Sequence, residues 1–137
     1  MNIKTIRAHT ITVILLFVFS LCYSLSFAQN SYIDSLTNRL NDTKGINKVL
    51  VLNELALASI PISKEKAMEY AEWSQRISKE ENNPFYQARS NQIIAQIYFS
   101  QQEFEVAREY YTKALMAFKT LGNQYSASEV LNELGKI

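Results

Sequence analysis

The sequence predicts an all-α protein built from antiparallel helix pairs, and three observations support this fold class. Apolar residues recur at spacings of three and four along most of the chain, and no segment alternates with period two for long enough to form a strand. The breaks between helical segments are short, so consecutive helices are expected to pack antiparallel. Small residues also recur with a period near 40, since Ala56 and Ala95 are 39 apart and Ala67 and Ala107 are 40 apart. Such a period is typical of a helical repeat array.

Residues 1–28 are predicted to be a secretory signal peptide and not part of the fold. Lys4 and Arg7 precede an apolar run over residues 11–28, and small residues stand three and one positions before a cleavage after Ala28. We therefore expect an exported, periplasmic or secreted protein. The alternative is an uncleaved inner-membrane anchor, because 18 apolar residues are at the lower limit of a membrane span. Membrane association is expected only in that case.

Cleavage at this position would restrict the chemistry of the remaining chain. It removes the only histidine, His9, and the only cysteine, Cys22, so the mature chain has no imidazole, thiol or disulfide. Of 14 basic and 13 acidic residues it removes two basic ones, which leaves 12 against 13 and a net charge of −1. No basic field remains for nucleic acid, and no calcium-loop spacing or glycine-rich phosphate loop is present. We expect no enzyme activity, no cofactor and no bound metal.

Residues 29–43 are predicted to form an N-terminal capping helix and a linker. Ser31 would be the N-cap, with Asp34 completing a capping box. The repeats are then expected at about 44–82, 83–121 and, in part, 122–137.

Each repeat is predicted to contain two helices, of which the third includes only the first. In the first repeat, the helix from Ile46 ends at Pro61, and the next begins after Ser63 as its N-cap. The second repeat is expected to start with Asn83 as N-cap, and Gly122 to end its second helix. That second helix places one set of residues inward: Phe104, Ala107, Tyr111, Ala114, Leu115 and Phe118. The last helix is expected to run from Asn123 to the end of the chain.

The second repeat resembles a tetratricopeptide repeat (TPR). The positions that carry the resemblance are Ala95, Tyr98, Ala107, Tyr111 and Ala114. With its period near forty, the chain is similar to the longer variant of this family found in bacterial signalling proteins, over about residues 45–137. The resemblance implies a right-handed superhelix of antiparallel helix pairs, an α-solenoid, that acts as a scaffold or adaptor by binding a protein or peptide.

The resemblance also implies that the first helix of each repeat lines a concave protein-binding groove. The residues at those positions are Asn53, Leu57, Arg89, Gln92, Gln96, Phe99, Glu129, Asn132 and Lys136. Amide side chains there suit the backbone of an extended peptide, and Leu57 and Phe99 suit apolar contacts. The alternative is that these residues are only solvated or pack on a neighbouring helix. A carboxylate clamp of the chaperone-binding kind is excluded, because Glu129 and Glu133 stand where the family needs cations.

A second functional hypothesis follows from the order of the segments. A signal followed by forty-residue repeats resembles the sensory front end of a histidine kinase or of a LuxR-type transcription regulator, of which this chain would be a truncated piece. Leu131, Leu134 and Ile137 are expected to lack a covering helix. Either a longer chain would supply that helix, or the chain would self-associate through its C-terminal helix.

Overall fold

The computed structural model describes the backbone of residues 3–137 and the side chains of residues 13–20 and 31–137. This part of the chain is all-helical. The helices are α1 (Ile3–Asp42), α2 (Gly45–Ser59), α3 (Lys64–Glu80), α4 (Pro84–Ser100), α5 (Phe104–Thr120) and α6 (Gln124–Leu134). The chain divides into two compact units, Met1–Ser35 and Leu36–Ile137.

The first unit consists of most of α1. Every side chain from Val13 to Phe19 is exposed on this helix. The prediction that a helix begins at Ser31 is wrong, because α1 continues through it. No proline or glycine precedes Gly45, so nothing in the sequence breaks the helix there. The expected cleavage site after Ala28 lies outside the described side chains. Within the part that could be searched, no helix has the length and apolarity to cross a membrane.

The second unit is a solenoid-like stack in which each helix packs against the next along the chain. α2 pairs with α3 and α4 pairs with α5, and α4 also contacts α2 directly. The connections within and between pairs are two to four residues long, so the paired helices run antiparallel. The fold class expected from the sequence is confirmed as an all-α, solenoid-like repeat.

The N-termini of three helices are capped by the predicted residues. The Ser63 hydroxyl accepts a hydrogen bond from the Lys66 amide at 3.2 Å. Asn83 and Asn123 accept bonds from the backbone amides of Tyr86 and Ser126, at 3.3 and 2.9 Å. These caps satisfy amide groups that the first turn of a helix leaves free.

The backbone turns repeat with the same period as the sequence. After α3, Asn82 has φ +50° and the Asn83 amide donates to Ser78 O at 3.0 Å. After α5, Gly122 has φ +69° and the Asn123 amide donates to Phe118 O at 2.9 Å. Each turn has a left-handed residue followed by a long return bond, the usual helix C-cap. The two turns lie 40 residues apart, so the repeat is a property of the backbone as well as of the residues.

Alanines allow the helices to approach closely. One core cluster joins α4, α5 and α6 and consists of Ala88, Ala95, Ala107, Tyr111, Ala114, Phe118, Ala127 and Val130. A second joins α2, α3 and α4 and consists of Ala56, Ala67, Ala71, Ile93, Ile94 and Ile97. Of the side chains predicted to lie inside α5, Phe104 is instead exposed. It occupies the first residue of the helix, where its ring contacts only the edge of the core through Phe99, with centroids 5.5 Å apart.

The last helix is shorter than the sequence predicts. α6 ends at Leu134, and Gly135 caps it by donating its amide to Leu131 O at 3.0 Å. Leu131 is 48% exposed, as expected for a residue without a covering helix. Leu134 and Ile137 differ from the expectation, because both are partly buried against the α4/α5/α6 core cluster.

Candidate functional site

The first helices of the three repeats enclose a cavity of about 500 Å³, called here the inter-repeat cavity. Leu50, Asn53, Glu54 and Leu57 line it from α2; Phe85, Tyr86 and Arg89 from α4; and Asn123, Tyr125, Ser126 and Glu129 from α6 and its cap. All of these residues belong to the second unit.

Helical spacing explains which side chains reach the cavity. The four residues from α2 stand at positions i, i+3, i+4 and i+7, which form one face of a helix. Phe85 and Tyr125 are 40 residues apart, as are Arg89 and Glu129. The cavity is therefore built by the same face of successive repeats.

Arg89 connects two of the three helices across the cavity wall. Its Nη1 donates to Gln92 Oε1 at 2.8 Å and lies 3.4 Å from Glu129 Oε2. Since Arg89 and Glu129 occupy equivalent positions in consecutive repeats, this ion pair bonds one repeat to the next. Both side chains are about one third exposed, so the pair is only partly screened by solvent.

Asn53 is held at the cavity by a buried hydrogen-bond network. Ser74 Oγ donates to Asn53 Oδ1 at 2.6 Å and lies 3.0 Å from Ser90 Oγ. Ser90 Oγ donates to Tyr86 O at 2.9 Å. The network joins α2, α3 and α4, and because its members are buried it fixes the position of Asn53. The Asn53 amide nitrogen has no hydrogen-bond partner among the described residues.

Glu54 has a weaker partner than the other charged groups of the cavity. Its Oε2 lies 3.6 Å from Arg39 Nη1, and the two side chains are 46% and 58% exposed. Charge-assisted hydrogen bonds are typically 2.7 to 2.9 Å long. The Glu54 carboxylate is therefore the negative group of the cavity that remains most available to another cation.

The predicted groove residues fall into two sets. Asn53, Leu57, Arg89 and Glu129 line the cavity, and Gln92 is buried beside it, bonded to Arg89.

The other predicted groove residues do not line the cavity. Phe99 packs against Phe104, and Lys136 Nζ bonds Glu133 Oε1 at 2.7 Å. Gln96 is partly buried and Asn132 is exposed, both outside the cavity wall.

Sequence reasoning missed the aromatic part of the wall. Phe85, Tyr86 and Tyr125 lie in the first turns of α4 and α6, and Leu50 lies one turn before Asn53. The signal was present in the sequence, because Phe85 and Tyr125 are an aromatic pair 40 residues apart immediately after two predicted N-caps.

Other surface features offer less for recognition. A cavity of about 220 Å³ lies on α3, lined by Glu69, Glu72, Trp73 and Arg76. Within the described side chains, no group of three or more His, Cys, Asp or Glu residues is placed to hold a metal ion.

The comparisons with known proteins add no name to this geometry. Neither the protein-family models, nor the curated proteins, nor the solved structures contain a significant match to the chain.

Proposed function

We propose that this protein is an exported, TPR-like module that binds a protein or peptide and that the inter-repeat cavity is its binding site. The observation that carries the proposal is the cavity itself, because the same face of three successive repeats lines it. Concave surfaces formed in this way are the usual binding surfaces of helical repeat proteins.

The chemistry of the wall suits an extended peptide. Leu50, Leu57, Phe85 and Tyr125 offer apolar and aromatic contact, and buried aromatic residues supply much of the energy of protein interfaces. The Asn53 amide nitrogen is free to donate to a peptide carbonyl. An apolar wall with a few fixed polar groups is typical of sites that orient a ligand by its polar backbone.

The binding proposal is tested by selecting phage-displayed dodecapeptides on the purified protein and on two variants. Tyr125→Ala removes a cavity residue that is 77% exposed, and Met116→Ala removes an α5 residue outside the cavity that is 65% exposed. Neither change disturbs the core. Wild type and Met116→Ala should enrich one shared sequence pattern, and Tyr125→Ala should bind those peptides at least about tenfold more weakly. Equal binding to all three proteins, or no enrichment on wild type, would contradict the proposal.

Export is a separate part of the proposal and has its own test. It rests on the basic start, the apolar run over residues 11–28 and the small residues before Gln29. The full chain expressed in a bacterial host should be recovered outside the cytoplasm, with an intact mass that corresponds to residues 29–137. Arginine at position 28 (Ala28→Arg) should block this cleavage. Recovery of the uncut chain from the cytoplasm would refute export.

A further inference from the structure

The charges of the inter-repeat cavity are unevenly compensated, and this imbalance selects a ligand. The ionisable residues of its wall are Glu54, Arg89 and Glu129. Arg89 is already engaged by Gln92 and Glu129, so it offers no free cation to an anionic ligand. Glu129 has Arg89 as its partner. The remaining charge is the carboxylate of Glu54.

Glu54 has a partner that a ligand can replace. Arg39 lies outside the cavity wall, 3.6 Å from the carboxylate, and both groups are about half exposed. Exposed ion pairs of this kind contribute little to stability. A cation brought by a ligand could therefore take the place of Arg39 without loss to the fold.

The surroundings of Glu54 fit a long basic side chain. Leu50 and Leu57 flank it on the same face of α2 and provide apolar surface for a chain of methylene groups. The Tyr125 ring, which is largely exposed in the same cavity, offers a face for a cation–π contact.

The cavity also contains a polar group that is fixed and unused. Asn53 is only 7% exposed, and its amide nitrogen lacks a partner among the described residues although the side chain lines the cavity. Buried polar groups are almost always hydrogen-bonded. This donor therefore indicates a ligand acceptor, such as the backbone carbonyl of a peptide.

We propose that the inter-repeat cavity recognises peptides that present a lysine or arginine side chain to Glu54. This inference rests on the proposed peptide-binding function and specifies its ligand. An acidic peptide would meet two carboxylates and no uncompensated cation, so the cavity would reject it.

The test uses three mixtures of dodecapeptides composed of glycine, serine, leucine and tyrosine, with two fixed positions that carry lysine, norleucine or glutamate. Norleucine keeps the carbon chain of lysine without its ammonium group. Fluorescence anisotropy with the wild-type protein should give the tightest binding for the lysine mixture, about fivefold tighter than norleucine, with glutamate the weakest. The preference for lysine should fall as sodium chloride is raised, because salt screens exposed charges.

A pair of variants separates this site from a general effect of charge. Glu54→Gln and Glu105→Gln change the net charge equally, but Glu105 lies on α5 outside the cavity. The preference for lysine over norleucine should disappear in Glu54→Gln and persist in Glu105→Gln. Equal binding of all three mixtures to wild type would overturn the inference while leaving peptide binding intact. Binding of none of them would refute both the inference and the proposed function.

Discussion

Replacing Tyr111 with phenylalanine should stabilise the protein. Tyr111 is completely buried in the α4/α5/α6 core cluster, and its hydroxyl is the buried side-chain atom without a hydrogen-bond partner in the described part of the chain. Phenylalanine keeps the ring and removes only the hydroxyl. A buried polar group without a partner costs about 1–3 kcal/mol, and a unit of this size is stable by about 5–15 kcal/mol.

The measurement is urea unfolding followed by circular dichroism at neutral pH. The Tyr111→Phe midpoint should rise with an unchanged slope, by an amount equivalent to about 1–3 kcal/mol. Tyr125→Phe is the matched control, because the Tyr125 side chain is exposed and its hydroxyl meets solvent. That change should stay within about 0.5 kcal/mol.

The same substitution has a signature at high pH. Burial, and to a lesser degree the charge of Glu133, raises the pKa of the Tyr111 hydroxyl well above its usual 10.0. The unfolded chain therefore loses this proton first, so wild-type stability falls as the pH rises above about 10. The phenylalanine variant lacks this group. Its advantage over wild type should grow by about 1.4 kcal/mol between pH 8 and pH 11.

Two results would refute this reasoning. If Tyr111→Phe is less stable than wild type at neutral pH, the hydroxyl makes a bond that contributes to the fold. If the difference between the two proteins does not change with pH up to 11, the hydroxyl ionises equally in both states and is not desolvated.

Three further substitutions test the packing. Ala107→Arg should lower the free energy of unfolding by several kcal/mol through overpacking and a buried charge, while Met116→Arg on the exposed face of the same helix should stay within about 0.5 kcal/mol; equal urea midpoints would contradict the assigned faces. Ser74→Ala should cost about 1–3 kcal/mol because it leaves its partners in the buried network unbonded, and no loss would show that the network does not stabilise the fold. Asn123→Ala should cost about 1 kcal/mol and speed amide exchange in the first turn of α6, and unchanged exchange would argue against the cap.

The helix ends could be predicted where their signals are local. Ser63, Asn83 and Gly122 act through their own side chain or backbone freedom, so a few neighbouring residues determine them. Ser31 carries the same kind of signal, and the prediction failed there because α1 continues without a break. A cap residue starts a helix only where the preceding chain is not already helical.

The site could be predicted only in part, because the resemblance identified helices better than side-chain directions. Asn53, Leu57 and Arg89 line the cavity as expected, whereas Phe99 is drawn into contact with Phe104 on the following helix. A pattern of spacing shows that a residue lies on a face, but packing against the next helix decides where its ring goes. Tyr125 was missed because it lies before the positions that the family uses.

The central claim is that the face shared by α2, α4 and α6 binds peptide. It is tested most directly by titrating the isotope-labelled protein with the lysine dodecapeptide mixture and recording amide chemical shifts by NMR. The account predicts that the largest shifts lie in the cavity wall, around Leu50 to Leu57, Phe85 to Arg89 and Tyr125 to Glu129. Shifts confined to α3 and α5, or none at all at saturating peptide, would contradict it.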